Sequence, residues 1–369
     1  MKKVLILTTS TGQGHNQAAD ALIDILSQND FSCTKYDFLA SNSKFINKFI
    51  VKSYEISASY FPKIYGLIYR LTDTKFHNKI LNMLFTLISN KLYKFIMESS
   101  PDIIIGTHPF TALIISRLKQ KKNLKVPFIS VITDFKAHAA YINNNVDAYI
   151  TGSDYTKEHL VKNKIPPNII YPLGIPVRES FYSNNAIIPK IKDTEYFSIL
   201  LMSGSMGLNN ISYVFDELLK NKNKLRLTVV CGNNHKLKEK LLKKYNIELT
   251  DKKIHILGYT TDIASLMEYS DVIISKPGGL TVTESIIKNL PLIIPFIIPG
   301  QETDNANFLS TEGYSFYIHK YKEINPLIDK LIEQPSILLA KKNKLNELSS
   351  IYSVRNIVDI CNKLIEEHK

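Results

Sequence analysis

Short apolar runs, each stopped by a glycine or polar turn and followed by apolar residues at helical spacing, recur along the chain. The first covers residues 4–9 and ends at Ser10-Thr11-Gly12-Gln13-Gly14-His15, after which Ala18, Ala19, Leu22, Ile23 and Ile25 carry a helical period. Strand, glycine-rich turn and helix in that order open a Rossmann-like unit. Further strands are predicted at 31–38, 103–106, 128–133 and 148–151, with helical patterns between them as a parallel sheet requires. A second series begins at 197–202, turns through Ser203-Gly204-Ser205-Met206-Gly207, and enters a helix bearing Ile211, Val214, Phe215 and Leu218. It continues with strands at 225–230, 254–257, 272–274 and 292–294. The repeated grammar predicts an α/β chain of two Rossmann-like domains facing across a cleft, at 1–180 and 196–350. Region 165–195, with Pro166, Pro167, Pro172, Pro176 and Pro189, is the predicted linker, and a helix at 351–369 would return to the first domain.

Residues 44–96 do not fit a lean Rossmann unit and read as an insertion. Lys44, Lys48 and Lys52 fall on one helical stripe, with Phe45, Ile46, Phe49 and Ile50 mostly round from it. Phe61, Tyr65, Ile68, Tyr69, Phe85, Leu92, Tyr93 and Phe95 extend the apolar character, and Lys and Arg outnumber Asp and Glu by nine to two. For most single residues the simpler reading is a helical layer packed on the sheet with a solvated lysine face. For the segment as a whole, docking on an anionic bilayer is the stronger expectation.

Composition adds bounds. A chain of 369 residues exceeds the size of one growing core, which supports two domains. The net charge of +12 calls for an anionic partner: nucleic acid, anionic lipid or a phosphorylated ligand. Heavy use of Lys, Ile and Asn also fits a biased genome, so charge alone does not choose. Cys33, Cys231 and Cys361 are odd in number and widely spaced, which fits a reducing compartment and offers no disulfide framework. Residues 4–7 are too short an apolar run for a signal peptide, and no run reaches the length of a spanning helix. A cytoplasmic protein is expected.

The densest chemistry lies at 275–307, where a strand ends in Lys276-Pro277-Gly278-Gly279 and a helix starts near Leu280. Glycines there let backbone N–H groups approach a diphosphate, and the positive end of the helix points at the same place. Thr281 adds a hydroxyl, Glu284 offers two acceptor oxygens for a ribose diol, and Pro299, Gly300, Gln301, Glu302 and Asn305 offer amides and a carboxylate for sugar hydroxyls. Singly, each has an ordinary structural explanation; together in one block they describe a nucleotide-sugar cradle. In the first half, Gly12-Gln13-Gly14 with Asp37 about 20 residues on imitates a dinucleotide fingerprint, but Gln17 holds the third glycine position. His15 opens a helix whose dipole keeps imidazole neutral, as a general base requires; a cap or packing histidine is the alternative. His108 and His138 follow two other strands, with Asp134 in the same loop, so three histidines share one rim. Metal ligation competes, but no cysteine cluster, HExxH or Asp-x-Asp supports it.

These residues carry a resemblance. Thr9 to Asn16, Thr133-Asp134 with His138, Lys276 to Thr281 with Glu284, and Pro299-Gly300-Gln301-Glu302 with Asn305 resemble the glycolipid-forming inverting glycosyltransferases of the GT-B type. That branch includes the monogalactosyldiacylglycerol synthases and processive diacylglycerol glucosyltransferases, relatives of the enzyme that adds N-acetylglucosamine to lipid I. The resemblance implies a hexosyltransferase using UDP-glucose or UDP-galactose as donor substrate, with no tightly bound cofactor, no metal and no nucleic-acid partner. Diacylglycerol would be the acceptor, at the cytoplasmic face of an anionic membrane. It implies His15 as base, assisted by Asp134, with Gly14, His108 and His138 on the acceptor side. The donor would meet Gly204, Ser205, Gly207, Lys276, Gly278, Gly279, Leu280, Thr281, Glu284, Gln301, Glu302 and Asn305, with uracil near Gly258 and Tyr259. Relatives often carry tryptophan after the Asp/His motif, whereas this chain has Ala139-Ala140-Tyr141 and no tryptophan. A UDP-sugar epimerase on the same plan, an isoprenoid-linked acceptor and a membrane-bound nucleotide-sugar sensor are the other readings.

Overall fold

The computed structural model of the protein describes residues 1–9, 13–38, 40, 79–183, 195–202, 204, 210–244 and 251–369, the side chains of 79–87 excepted. Ser10, Thr11, Gly12, Ser205, Gly207 and most of the predicted insertion lie outside the described residues.

The first sheet holds β1 (Lys2–Thr8), β2 (Phe31–Asp37), β3 (Ile103–Gly106), β4 (Phe128–Val131), β5 (Ala148–Ile150) and β6 (Ile170–Tyr171). Their order is β2-β1-β3-β4-β5-β6, every neighbouring pair parallel. Its helices are α1 (Gln13–Ser27), α2 (Lys79–Ser99), α3 (Pro109–Lys122) and α4 (Asp154–Lys162). The second sheet holds β7 (Phe197–Met202), β8 (Leu225–Val230), β9 (Lys253–Leu257), β10 (Val272–Ile274), β11 (Leu292–Ile294) and β12 (Ser315–Tyr317). Here the order is β12-β11-β10-β7-β8-β9, again all parallel. With it run α5 (Ile211–Leu218), α6 (His235–Lys244), α7 (Ile263–Glu268), α8 (Gly279–Ile287), α9 (Gln301–Thr311), α10 (Ile324–Glu333) and α11 (Pro335–Ser350), and α12 (Ile357–Glu367) closes the chain.

Central strands of a parallel sheet are covered on both faces, so they read as unbroken apolar runs. Ile6, Leu7, Ile104 and Ile105 are fully buried in this way, each contributing about 1.5–3 kcal/mol of transfer free energy. β2 lies at an edge and its pattern is accordingly mixed, Phe31 buried and Ser32 exposed. Every strand predicted from the apolar runs is present; β6 and β12, of two and three residues, are additional.

By contacts the chain divides into Met1–Glu179 with Pro299–Asn305 and Tyr352–Lys369, and Ser180–Ile298 with Ala306–Ile351. Two of these assignments differ from the sequence boundaries. The start of the predicted linker is core: β6 extends the first sheet and Leu173, Ile175 and Val177 are buried. The polar segment Pro299–Asn305, which includes the first turn of α9 and was expected with the second domain, groups with the first. The returning helix is observed. Ile357, Ile360, Cys361, Leu364 and Ile365 of α12, spaced as one helical stripe, join a core with Val4, Ile6, Leu22 and Ile103. In the described end of the insertion, Ile88, Leu92 and Ile96 are core residues and Phe95 stacks on Tyr36 at 4.3 Å, so this stretch is a packed helical layer.

Both sheets reverse direction once. The chain leaves β1 for β2 and returns to β3 on the other side of β1; it leaves β7 for β8 and β9 and returns to β10 on the other side of β7. Loops at the carboxyl ends of strands flanking such a switch diverge and open a crevice for ligands. His15 and Thr107 flank the first switch, Gly204 and Lys276 the second.

Candidate active site

At the first switch α1 begins at Gln13, so Gly14 and His15 occupy its first turn. Thr8 at the end of β1 donates to Asn16 Oδ1 at 3.2 Å. His15 Nδ1 lies 2.8 Å from the Thr107 carbonyl oxygen, and Thr107 Oγ1 donates back to the His15 carbonyl at 3.0 Å. A carbonyl only accepts, so Nδ1 carries the proton and the lone pair sits on Nε2. Thr133 Oγ1, following β4, also approaches Nδ1, at 2.9 Å, and is 3.3 Å from the hydroxyl of buried Tyr141. The ring keeps some exposed surface, yet burial pushes its pKa down to about 4, partly opposed by the Thr107 hydrogen bond. At neutral pH His15 is therefore an imidazole with its acceptor nitrogen fixed. Burial does this more than the helix position from which neutrality was expected.

His108 caps the N-terminus of α3, its side chain accepting from Phe110 N at 3.2 Å, with Pro109 in the first turn. Its ring meets that of His15 edge to face at 4.5 Å. Burial, then the neighbouring His15 and His138, hold its pKa well below the usual histidine range. His138 caps the short turn Ala139–Tyr141 by accepting from Ala140 N at 3.1 Å. In both rings Nδ1 accepts, which puts the proton of the neutral form on Nε2, the reverse of His15. The three predicted histidines thus do share a rim, as one lone-pair nitrogen and two donors. Among the described residues no cluster of three or more His, Cys, Asp or Glu side chains is placed to hold a metal ion.

Asp134, expected to assist His15, is buried and accepts from Asn305 Nδ2 at 3.1 Å. The Nδ1 partners of His15 are instead Thr107 and Thr133. Asn305, expected to face a sugar, is fully buried and accepts from Phe135 N at 2.8 Å. Gln301 and Glu302 precede it in the first turn of α9, Gln301 half-buried and Glu302 buried. Asp37, the dinucleotide-type acid, accepts from Ala40 N at 2.9 Å in its own turn.

At the second switch, Gly204 follows β7 with φ of 71°, a left-handed conformation that favours glycine. A Cβ there would stand 2.9 Å from Cε of Lys276, so the lysine stem lies against this glycine. Across the switch Gly278 caps α8 with φ −67° and ψ 140°, a conformation any residue adopts. A Cβ added to it would meet no heavy atom within 4 Å. The fold does not require glycine at 278, and the space beside it borders the first N–H groups of the helix, which have no intrahelical partner. Gly279 and Leu280 are buried, Thr281 is half-buried, and Glu284 is buried one turn further along α8. Gly258 and Tyr259 follow β9, and Tyr259 is 65 % exposed, a flat surface open to stacking. Gly204, Lys276, Gly278 and Gly279 therefore converge at one crevice, with Gly258 and Tyr259 on the same strand-end side.

Known proteins match this chain along its length. Residues 15–177 match the family model of monogalactosyldiacylglycerol (MGDG) synthase, and residues 198–363 that of the glycosyltransferase family 28 C-terminal domain. The processive diacylglycerol beta-glucosyltransferase of Bacillus subtilis (strain 168) is 30% identical over 353 residues, covering 94% of this chain and 91% of its own. The chain belongs to the processive diacylglycerol beta-glucosyltransferase family. The Bacillus pumilus (strain SAFR-032) member of that family is 29% identical over 368 residues, 97% of this chain and 94% of its own. The diacylglycerol glucosyltransferase family match spans both switch points. In fold the chain is similar to MurG of Acinetobacter baumannii, with TM-score 0.69 at 16% identity over 98% of this chain and 100% of that one. It is also similar to Anabaena Alr3699/HepE in complex with UDP-glucose, with TM-score 0.56 at 16% identity over 100% and 99% of the two chains. The two-domain GT-B architecture is thereby established.

The sequence reading missed what orients the base. The Thr107 carbonyl leaves no trace in a sequence, since every residue has one. Thr133 and Tyr141 had a signal in hindsight, a hydroxyl at a strand end and another eight residues on.

Proposed function

We propose that the protein transfers a hexose from a UDP-sugar to the hydroxyl of diacylglycerol with inversion, glucose being the first donor to test in view of the relatives' names. The fixed lone pair of His15 Nε2 carries this reading, because inverting transfer needs a group that removes the acceptor proton. Nε2 takes the proton of the lipid hydroxyl as its oxygen forms a bond to the anomeric carbon. The anomeric carbon's bond to the diphosphate oxygen breaks on the opposite face, and UDP leaves with the electron pair. Charge on the leaving diphosphate is met by the N-terminus of α8 and by Lys276, and Glu284 accepts the ribose hydroxyls. Gln301 and Glu302 face the hexose. Work on a membrane lipid supports a position at the cytoplasmic membrane surface; among the described residues no helix is long and apolar enough to cross a bilayer. The net charge of +12 supports contact with anionic lipid.

The test is purified protein with labelled UDP-glucose and UDP-galactose in parallel, with diacylglycerol vesicles and product identification. Formation of a β-linked hexosyl lipid is expected. Donor changed without acceptor would indicate an epimerase, and intact donor would remove the transferase reading. Abolition of turnover by EDTA would overturn the charge-neutralising role given to α8 and Lys276. Sedimentation with anionic vesicles should weaken as salt rises.

A further inference from the structure

We infer that Asn305 is a positioning residue for the base: its buried side chain holds the 133–136 segment that orients His15, so that the first turn of α9 and the base form one mechanical piece. The inference rests on His15 as the base of the transfer.

Asn305 has no exposed surface. Its Oδ1 accepts from Phe135 N at 2.8 Å while its Nδ2 donates to Asp134 Oδ1 at 3.1 Å. One planar amide thus meets a donor on one side and an anionic acceptor on the other, which neither a carboxylate nor a hydrocarbon does. The next residue back, Asp304, pairs with Lys136 at 3.0 Å. From the far side Thr156 Oγ1 donates to the Phe135 carbonyl at 2.8 Å. The backbone of 134–136 is therefore gripped on several sides. Thr133 is its immediate neighbour in the chain, and Thr133 Oγ1 is the hydroxyl 2.9 Å from His15 Nδ1.

A shift at 134–135 passes through one peptide unit to the hydroxyl that meets His15 Nδ1 beside the Thr107 carbonyl. The same helical turn carries Gln301 and Glu302, the residues given to the donor sugar. Alignment of the base and grip on the sugar are accordingly two ends of one short element. Asn305 acts through Thr133 and touches no substrate, in contrast to the ligand role read from the sequence.

Asn305→Asp tests this with an isosteric change that keeps an acceptor for Phe135 N but sets a carboxylate against Asp134. The expected result is kcat lowered about tenfold or more, with the calorimetric Kd for UDP within about twofold of wild type. The double variant Asp134→Asn, Asn305→Asp restores a donor and acceptor in reversed sense, and its kcat should return to within about threefold of Asp134→Asn alone. An unchanged kcat in Asn305→Asp, a UDP affinity weakened about tenfold, or a double variant with no recovery would each overturn the inference. Should Asn305→Asp fail to fold, recovery of folding in the double variant supports the pairing and its absence counts against it. A readout independent of turnover uses protein labelled with 15N-histidine. His15 should keep Nδ1–H, held by the Thr107 carbonyl, in both proteins, while its Nδ1 and Nδ1–H resonances shift in Asn305→Asp as the Thr133 contact moves. Unchanged His15 Nδ1 and Nδ1–H resonances sink the inference even if the protein proves not to be a transferase, whereas wild-type inactivity with every UDP-hexose sinks only the transferase reading.

Discussion

Around the first switch point side chains bind one another: His15 to Thr107 and Thr133, Asp134 to Asn305, His108 to Phe110. Around the second, backbone lies open at Gly278, where a Cβ would meet no heavy atom within 4 Å, and Gly204 lies against a lysine stem. Under the proposed function, the difference follows from what each half handles. A proton is taken by one lone pair in one direction, so the base half invests in orientation. A diphosphate is large, symmetric and charged, so the donor half needs close access to N–H groups more than any particular side chain.

The largest effect should come from breaking the oriented half at its centre. His15→Ala is expected to lower kcat by about 10³-fold, within the range of general base catalysis, while calorimetry finds UDP binding unchanged. Lost UDP affinity would move His15 to the donor side. On the bare half, Gly278→Val should weaken UDP binding about tenfold or more by standing a side chain in the anion's approach. Because a Cβ at 278 meets nothing, its thermal midpoint should stay within a few degrees of wild type. A large fall in midpoint would show the glycine to be structural. Glu284→Ala touches a part of the nucleotide remote from the reaction, so donor KM should rise about tenfold with kcat held within about threefold in steady-state assays.

Two smaller effects sharpen the comparison. Thr133→Val removes one hydroxyl from the base network and should lower kcat about three- to tenfold, with stability changed by about 1 kcal/mol in urea titrations. An effect on UDP affinity alone would argue that the two halves are not separable in this way. The pH dependence of stability isolates the base half as well. His15 has a pKa of about 4 in the folded protein and 6.5 as its ordinary value. Between those limits the unfolded chain binds the proton and the folded chain does not. Stability is thus fully present above about pH 6.5, falls as pH drops toward 4, and gains no further loss from this group below that. His108, depressed in the same direction, adds to the fall. Urea midpoints measured across this range should slope less in His15→Gln than in wild type.

Much of this was legible in advance where one residue type has one physical use. Unbroken runs such as Ile103, Ile104 and Ile105 have few fates besides a buried parallel strand. Gly278, Gly279 and Glu284 in a strand-to-helix turn likewise pointed to the second switch before any coordinates. Legibility failed where the decisive group is generic or the segment short. The Thr107 carbonyl is chemically anonymous, and β6 and β12 are too brief to show a period. Asn305 failed for another reason. An amide beside Gln301 and Glu302 reads as a sugar ligand, and only burial shows it turned toward Phe135 and Asp134. Leu92 and Ile96 show the same ambiguity, since an apolar stripe faces a sheet or a bilayer with one pattern.

The docking of α12 onto β1 and β3 has a consequence for biosynthesis. The layer that covers Val4, Ile6 and Ile103 includes Ile357, Ile360 and Leu364, which are made after both sheets. Until then α1 covers only part of that face, and completing it joins residues far apart in sequence, a slow step for loop-closure entropy. A chain interrupted before Ile357 would expose the apolar patch that α12 covers, and exposed apolar surface favours aggregation.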